Sequence, residues 1–434
     1  MHGRILGNAK WIIVCKIAQS LIQFIVGLLS ARYLGPSNYG LINYAASITA
    51  FFLPVMRLGL DSTLVREYSD KTERQGQLLG TSLLMNMASS IACIIGVTSF
   101  AAVANRGETV TIIVCALYST SMFFQAFEML QYWFQAKLLS KYSSLAMLSS
   151  YVVVSAYKIW LLTTGKSVYW FALSHAVEYG STGILLLITY CMKGGQKISF
   201  SLVAAKELLS KSRHYIVAML MVVVYGRTGN ILLTLLCGES ENGYLATAVT
   251  CTFIAGFVFD AIIDTARPVV LESKQHYQQE YEKNVSRVYC LTTWLSIAQS
   301  VFFTLFAGTV VKILYGDAYL PAVPVLRILC WQSAFSYMGY VRNIWILAEE
   351  KHQVLWKINL SGAIFNIAVN VILIPLWGAC GAALASVMTQ FFTNVIMGFI
   401  LKPIRENNRL LLKGMDPRLV WDMAKMLLQK RGCC

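Results

Sequence analysis

Apolar residues in this chain form long unbroken runs, not the short alternating or 3.6-spaced patterns of a water-soluble core. Trp11 to Ser30 and Thr81 to Ala104 are clear cases, and a bilayer core asks for about 20 such residues per helix. Read in this way, the sequence predicts twelve spans, at 11–31, 42–62, 78–104, 110–136, 143–163, 168–191, 215–237, 244–266, 288–311, 325–348, 355–376 and 379–401. The expected fold class is an all-α polytopic membrane protein. The longest connection, 192–214, falls near the midpoint and leaves six spans on either side. Each half opens with a span followed by Gly-x4-Gly, Gly35 to Gly40 in one and Gly238 to Gly243 in the other. Six spans per copy is an even number, so the copies would be parallel repeats forming two six-helix bundles, a transporter architecture. The expected domains are 1–205, 206–401 and a tail, 402–434.

Polar residues interrupt the runs at helical spacing. Span 1 carries Lys16, Ser20, Gln23 and Gly27; span 2 carries Asn43, Ser47, Pro54, Arg57 and Asp61; span 4 carries Ser121, Gln125, Glu128, Tyr132 and Gln135. Span 7 carries Arg227, Asn230 and Thr234, span 8 Asp260, Asp264 and Arg267, and spans 10 and 11 Arg342, Asn359, Asn366 and Asn370. Hydroxyls and amides in such stripes are most simply read as interhelical hydrogen-bonding groups. Ions are different: a charge at mid-bilayer costs about 2.5–3.5 kcal/mol on insertion scales, so it faces a cavity or a partner. Arg57 and Asp61 have the i,i+4 spacing of a pair within one helix, and His175 reads as a packed residue with Glu178 nearby. Within the spans basic residues slightly outnumber acidic ones, which suits an anionic cargo such as a pyrophosphate, and arginine offers it a planar fork of donors. The candidate cavity cations are Arg227, Arg57, Lys158, Arg342 and Arg32; the candidate ion-coupling carboxylates are Asp264, Glu128 and Asp61.

Composition agrees with lipid as the main solvent. Hydrophobic residues make up 57% of the chain and charged ones 13%, against roughly 25% charged in a soluble protein. Lys and Arg concentrate in alternate connections, with Arg32, Arg106, Lys166 and Lys312 on the opposite side, so both termini are expected in the cytoplasm. The tail from Lys402 adds eight basic residues against three acidic ones, a charge matched to anionic headgroups and not to nucleic acid. Val420, Trp421, Ala424, Leu427 and Leu428 predict an interfacial helix there. Most of the eleven cysteines lie inside apolar runs and read as small hydrophobes, while Cys433 and Cys434 end a solvated tail. The first apolar run is long enough to span and reads as helix 1, not as a cleaved signal. Five scattered histidines give no metal-ligand spacing, no phosphate-binding glycine loop of the G-x4-G-K-[ST] type occurs, and no cofactor or catalytic constellation is expected.

Several local motifs resemble one family: Ala31-Arg32-Tyr33-Leu34-Gly35-Pro36-Ser37-Asn38-Tyr39-Gly40, Leu58-Gly59-Leu60-Asp61, Val65-Arg66-Glu67, Tyr132-Trp133-Phe134-Gln135-Ala136, Leu314-Tyr315-Gly316, and Leu373-Ile374-Pro375 leading into Gly378-Ala379-Cys380-Gly381. Together they are similar to the polysaccharide-transport flippases of the multidrug/oligosaccharidyl-lipid/polysaccharide exporter superfamily. The resemblance implies a twelve-helix, two-bundle transporter of the bacterial inner membrane. Its cargo would be an undecaprenyl-diphosphate-linked repeat unit of O-antigen or capsule, moved by alternating access. A polysaccharide polymerase and a chain-length regulator would be its partners besides membrane lipids. Members of the family place an Asp two residues after a basic residue in helix 7; here Tyr225-Gly226-Arg227-Thr228-Gly229 has Gly229 at that place. Two alternatives stand beside this reading. A multidrug exporter of the same superfamily favours an acidic cavity, and a membrane polymerase or ligase of lipid-linked sugars needs a large external loop.

Overall fold

A computed structural model describes residues 2–70, 72–253, 256–419 and 421. Among these residues every regular element is a helix, and they fall into two compact units, Met1–Leu235 and Leu236–Cys434.

The first unit begins with α1 (His2–Met56), a helix broken at Gly35. The backbone there (φ 71°, ψ 173°) lies where glycine is at ease and other residues are not, so the expected spans 1 and 2 are two helices meeting at this residue. Gly238 repeats the device with φ 92°, and the second glycine of each Gly-x4-Gly, Gly40 or Gly243, is buried in the helix that follows. Next come α2 (Asp61–Asp70), α3 (Gln75–Ala104), α4 (Thr109–Ser119), α5 (Ser121–Gln125), α6 (Met129–Ala136), α7 (Ser140–Thr163), α8 (Val168–Met192) and α9 (Leu202–Cys237). Among the described residues two apolar cores hold them. In one, Leu41, Tyr44 and Ile48 of α1 meet Cys93, Val97 and Ala101 of α3 and Phe171 of α8. In the other, Leu60 of the turn before α2 and Leu64 and Tyr68 of α2 meet Leu79 of α3, Trp133 and Phe134 of α6, and Leu208 of α9. Small residues let these helices approach: a Cβ on Gly96 would strike the Phe52 ring and one on Gly183 the Phe127 ring, the close packing that replaces the hydrophobic effect between membrane helices.

Two sequence expectations change here. Span 2 does not run to 62: α1 stops at Met56, a turn through Leu58 and Gly59 (φ 53° and 67°) intervenes, and Asp61 starts a new helix. The connection expected at 192–214 is shorter, because α9 starts at Leu202, and 193–201 is no free linker. Gly76 N donates to Gln196 Oε1 (2.9 Å), Ser199 N to the Gly76 carbonyl (3.3 Å) and Ser201 N to Thr81 Oγ1 (3.1 Å). Any Cβ at Gly76 or Gly80 would collide with the carbonyls of Lys197 and Ser199. The contact boundary, after Leu235, accordingly falls later than the expected one after residue 205, since α9 packs with the first unit through Leu208 and Ile231.

The second unit contains α10 (Glu239–Phe253), α11 (Gly256–His276), α12 (Gln278–Tyr315), α13 (Ala322–Ala348), α14 (Gln353–Phe391), α15 (Met397–Ile400) and α16 (Arg405–Gly414). α14 breaks at Gly378 (φ 54°, ψ −130°), where the expected spans 11 and 12 meet, and a π turn over Phe392–Ile396 leads into α15. Just past the Gly378 break, Ala379 N donates to the Glu241 carboxylate at 2.8 Å, an anion at a helix start where the macrodipole favours it. The core joins Tyr281, Val285 and Tyr289 of α12 to Met338, Val341 and Trp345 of α13 and to Leu410 and Leu411 of α16. That last helix was not expected. It docks because Tyr289 donates to Asn407 Oδ1 (2.8 Å) and Gly414 fits against Ser286 and Tyr289. The interfacial helix expected beyond it, with Val420, Ala424, Leu427 and Leu428, lies outside the described residues apart from the exposed Trp421, as do Cys433 and Cys434.

Among the described residues seven helices are long and apolar enough to cross a bilayer, nine if each of two bent pairs is one span. The bent pairs are α9, which turns by 50° between Val224 and Gly226, and α10 with α11, also at 50°. The last pair lies where the single span 244–266 is expected.

Candidate functional site

The first unit gathers charge at the turn that ends α1. Arg57 Nη1 donates to Asp61 Oδ2 at 3.2 Å, and Nη2 pairs with Glu128. The pair expected within one helix therefore exists, but it crosses a turn. Leu58 and Gly59 set that turn, and a Cβ on Gly59 would strike the Ser212 carbonyl of α9. Glu128 arrives from a second interruption: the span expected at 110–136 is α4, α5, a 3-10 turn over Ala126–Glu128, and α6. The three side chains are only 20%, 14% and 11% exposed for Arg57, Asp61 and Glu128, and the Tyr132 hydroxyl faces Asp61.

A second charged group lies beside the first. On α8, His175 Nδ1 and Glu178 Oε2 are 3.6 Å apart, and the His175 ring packs on Tyr118 with centroids at 4.5 Å. From α7, Lys158 lies within electrostatic reach of Glu178, and the Tyr151 hydroxyl faces the same carboxylate. Glu178 and Glu128 sense each other's charge, which links the two groups. Tyr118 lies within reach of both Glu178 and Arg227. Arg227 stands on α9 just past its 50° bend, is exposed within the unit, and makes no ion pair with any described residue. Five candidate or neighbouring ions are thus linked, Arg57, Asp61, Glu128, Lys158 and Glu178, and Arg227 lies within reach of Tyr118 beside them.

Other candidates lie elsewhere. Arg342, on α13, is 5% exposed and gives Nη1 to the Thr393 carbonyl at 2.7 Å and Nη2 to Asn343 Oδ1 at 3.3 Å. The π turn explains this contact: it displaces carbonyls from the helical ladder, and Val395 O likewise accepts from Asn408 at 2.9 Å. Asp264 is 73% exposed and 3.9 Å from Arg267 on its own helix. Arg32 is exposed three residues before the Gly35 break. Among the described residues no three His, Cys, Asp or Glu side chains gather as metal ligands would. What sequence reasoning missed is that Tyr118, Tyr151 and Tyr179 join Tyr132 of the span 4 stripe around Glu128 and Glu178. Tyr118 and Tyr151 reach Glu178 from other helices, so spacing along the chain carries no trace of them.

Known proteins are similar to this chain in sequence and in fold. A family model described as "Polysaccharide biosynthesis protein" matches residues 29–324. The capsular polysaccharide biosynthesis protein CapF of Staphylococcus aureus is 23% identical over 92% of this chain and 99% of its own length. The probable low-salt glycan biosynthesis flippase Agl15 of Haloferax volcanii is 24% identical over 44% of this chain and 41% of its own. Among solved structures the fold is similar to the lipid II flippase MurJ in an inward closed conformation (TM-score 0.72, 15% identity, 93% of this chain and 91% of that one). It is also similar to an inward-facing multidrug resistance MATE family transporter (TM-score 0.67, 14% identity, 91% and 96%).

Proposed function

The chain belongs to the polysaccharide biosynthesis protein family, and from that premise we propose that it is a flippase for undecaprenyl-diphosphate-linked oligosaccharide units of O-antigen or capsule. It carries them from the cytoplasmic to the outer leaflet of the bacterial inner membrane by alternating access. In this reading the chain crosses the membrane twelve times with both termini inside. Six crossings come from α1 split at Gly35, α3, α4 to α6, α7 and α8; six more come from α9, α10 with α11, α12, α13, and α14 split at Gly378.

The observation that carries the reading is the state of Arg227. A pyrophosphate entering an apolar core needs cations that neighbours have not already neutralised. Arg57 shares its guanidinium between two carboxylates, and Arg342 gives its own to the main chain. Arg227 makes no ion pair among the described residues and sits next to a bend in its helix, with Gly229 where the family resemblance places a carboxylate. It is the proposed phosphate ligand, with Lys158 beside the same cluster and Arg32 at the outer break as further candidates. Of the carboxylates proposed for ion coupling, Glu128 and Asp61 share Arg57, whereas Asp264 faces Arg267 in an exposed pair.

Replacement of the chromosomal gene with variants tests the reading. Arg227→Ala should abolish surface polysaccharide at normal protein abundance and leave complete lipid-linked units in the cytoplasmic leaflet. Arg227→Lys should retain part of the activity, and Gly229→Asp should lower it by neutralising the cation. Normal export by well-expressed Arg227→Ala would remove the phosphate role; units accumulating in the outer leaflet would point to a polymerase instead.

A further inference from the structure

In the second unit three aromatic rings form a column that the phosphate argument does not use. Phe259 of α11 lies face to face with Tyr337 of α13, centroids 3.7 Å apart and planes at 6°. Tyr337 stacks in turn on Tyr340, at 5.9 Å and 28°. Exposure rises along the column from 1% at Phe259 through 9% at Tyr337 to 47% at Tyr340, so the last ring is open. Asp260, next to Phe259 in the chain, lies within electrostatic reach of both tyrosine hydroxyls. Its helix face continues through Asp264 and Arg267.

A half-exposed tyrosine on a membrane helix belongs either to the headgroup belt or to a wet interior. Tyr340 stands eight residues before the end of α13 at Ala348, which is about 12 Å inside the helix at 1.5 Å per residue. Belt aromatics sit at helix ends. The neighbouring face of α11 also excludes lipid, because Asp260, Asp264 and Arg267 are all exposed on it and acyl chains do not tolerate three such ions. The open ring therefore meets water and whatever passes through it.

We propose that the Phe259–Tyr337–Tyr340 column, with Asp260 at its edge, is a platform for a pyranose ring of the cargo, an assignment that rests on the flippase reading above. A pyranose has a face of weakly positive C–H groups, which matches the negative face of an aromatic ring. Its edge carries hydroxyls, which donate to a carboxylate. Tyr340 supplies the first surface and Asp260 the second, while the two buried rings behind Tyr340 fix its plane. Hydrocarbon would need the ring but not the acid. A lipophilic cation is the rival occupant of a ring beside a carboxylate.

Full-length protein in nanodiscs separates these cases with three probes: lipid-linked oligosaccharide extracted from the producing cells, sugar-free undecaprenyl diphosphate, and tetraphenylphosphonium. Tyr340→Ala should weaken binding of the glycan-bearing lipid about 2- to 10-fold and leave the sugar-free lipid unaffected. Tyr340→Phe, which keeps the ring and the fold, should bind both lipids as the parent does. Equal affinity of parent and Tyr340→Ala for the glycan-bearing lipid, or an equal loss for both lipids, overturns the platform while the flippase reading stands. Tetraphenylphosphonium binding that is lost in Tyr340→Ala and Asp260→Asn also overturns it, in favour of a cation site. Parent protein that binds neither lipid would bring down the flippase reading and the platform together.

Discussion

The two units place polar groups among apolar helices by different chemistry. The first concentrates ions, with Arg57 shared by Asp61 and Glu128, and Lys158 facing Glu178. The second, beside a Lys274–Glu349 pair at 2.6 Å, ties α14 across its break with neutral donors and acceptors. Asn370 donates to the Asn366 carbonyl and side chain (2.8 and 3.0 Å), Asn366 donates to Thr389 (3.1 Å), and Thr389 donates to Ala385 O (2.6 Å). Where a guanidinium is buried there, at Arg342, it serves a carbonyl. Amide ladders tie helices at modest desolvation cost. Ion pairs do not, since the loss of hydration roughly cancels the attraction, so a cluster of them is weak evidence of stability. The contrast assigns tying to the second unit's amides, and stability alone does not account for the first unit's ions; under the proposed function they would serve the cargo.

The comparison breaks most visibly at Arg57. Arg57→Ala leaves Asp61 and Glu128 facing each other without a cation and should cost about 3–5 kcal/mol of stability, read as a large fall in the melting temperature of the purified protein. A drop no larger than that of a surface variant would show that the cluster is solvated enough to screen itself. The amide ladder should respond less. Asn370→Ala removes one donor from a tie that its neighbours still hold, so a loss of about 0.6–1.7 kcal/mol is expected, with export unchanged. The smallest shift should come from replacing the whole triad at once, Arg57→Met with Asp61→Asn and Glu128→Gln, which removes both the attraction and its desolvation cost and should return stability to within about 1 kcal/mol of the parent. If the ions serve the cargo, that stable triple variant should still fail to export polysaccharide. Normal export by it would place the cluster with the ladder, as structure alone.

Run length and charge made the helical class and the membrane setting legible, because they are properties of the chain itself. Gly35 and Gly238 were legible as breaks, since a glycine between two apolar runs marks the place where only it can turn. Local spacing misled where helices stop early. Arg57 and Asp61 have the spacing of one helix, but Leu58 and Gly59 between them take left-handed backbone, so a pair survives while the helix does not. Arg342 looked like a free cation because its acceptor, Thr393 O, becomes available only through a π turn fifty residues on. The approach of Tyr118 and Tyr151 to Glu178, and of Phe259 to Tyr337, arises from different helices meeting in space and leaves no periodic mark. His175 and Glu178, three apart on one helix, were the part of the second charged group that spacing could reveal.

The segment 193–201 has a meaning for the gene as well as for the protein. As the longest stretch between apolar runs near the midpoint, it is where an engineer would cut the chain, insert a tag or circularly permute it. Tolerance to such changes follows the burial and hydrogen bonding of the affected backbone, not its place in the sequence. Here the backbone is held at Gly76 and Thr81, the Tyr190 hydroxyl donates to Gln196 O (2.8 Å), and two glycines are needed to let it lie flat. The stretch lies along α3 with its backbone pinned and most of its side chains exposed, so two half-genes joined or separated there would lose those backbone ties. Lengthening it by even a few residues would lift it from α3.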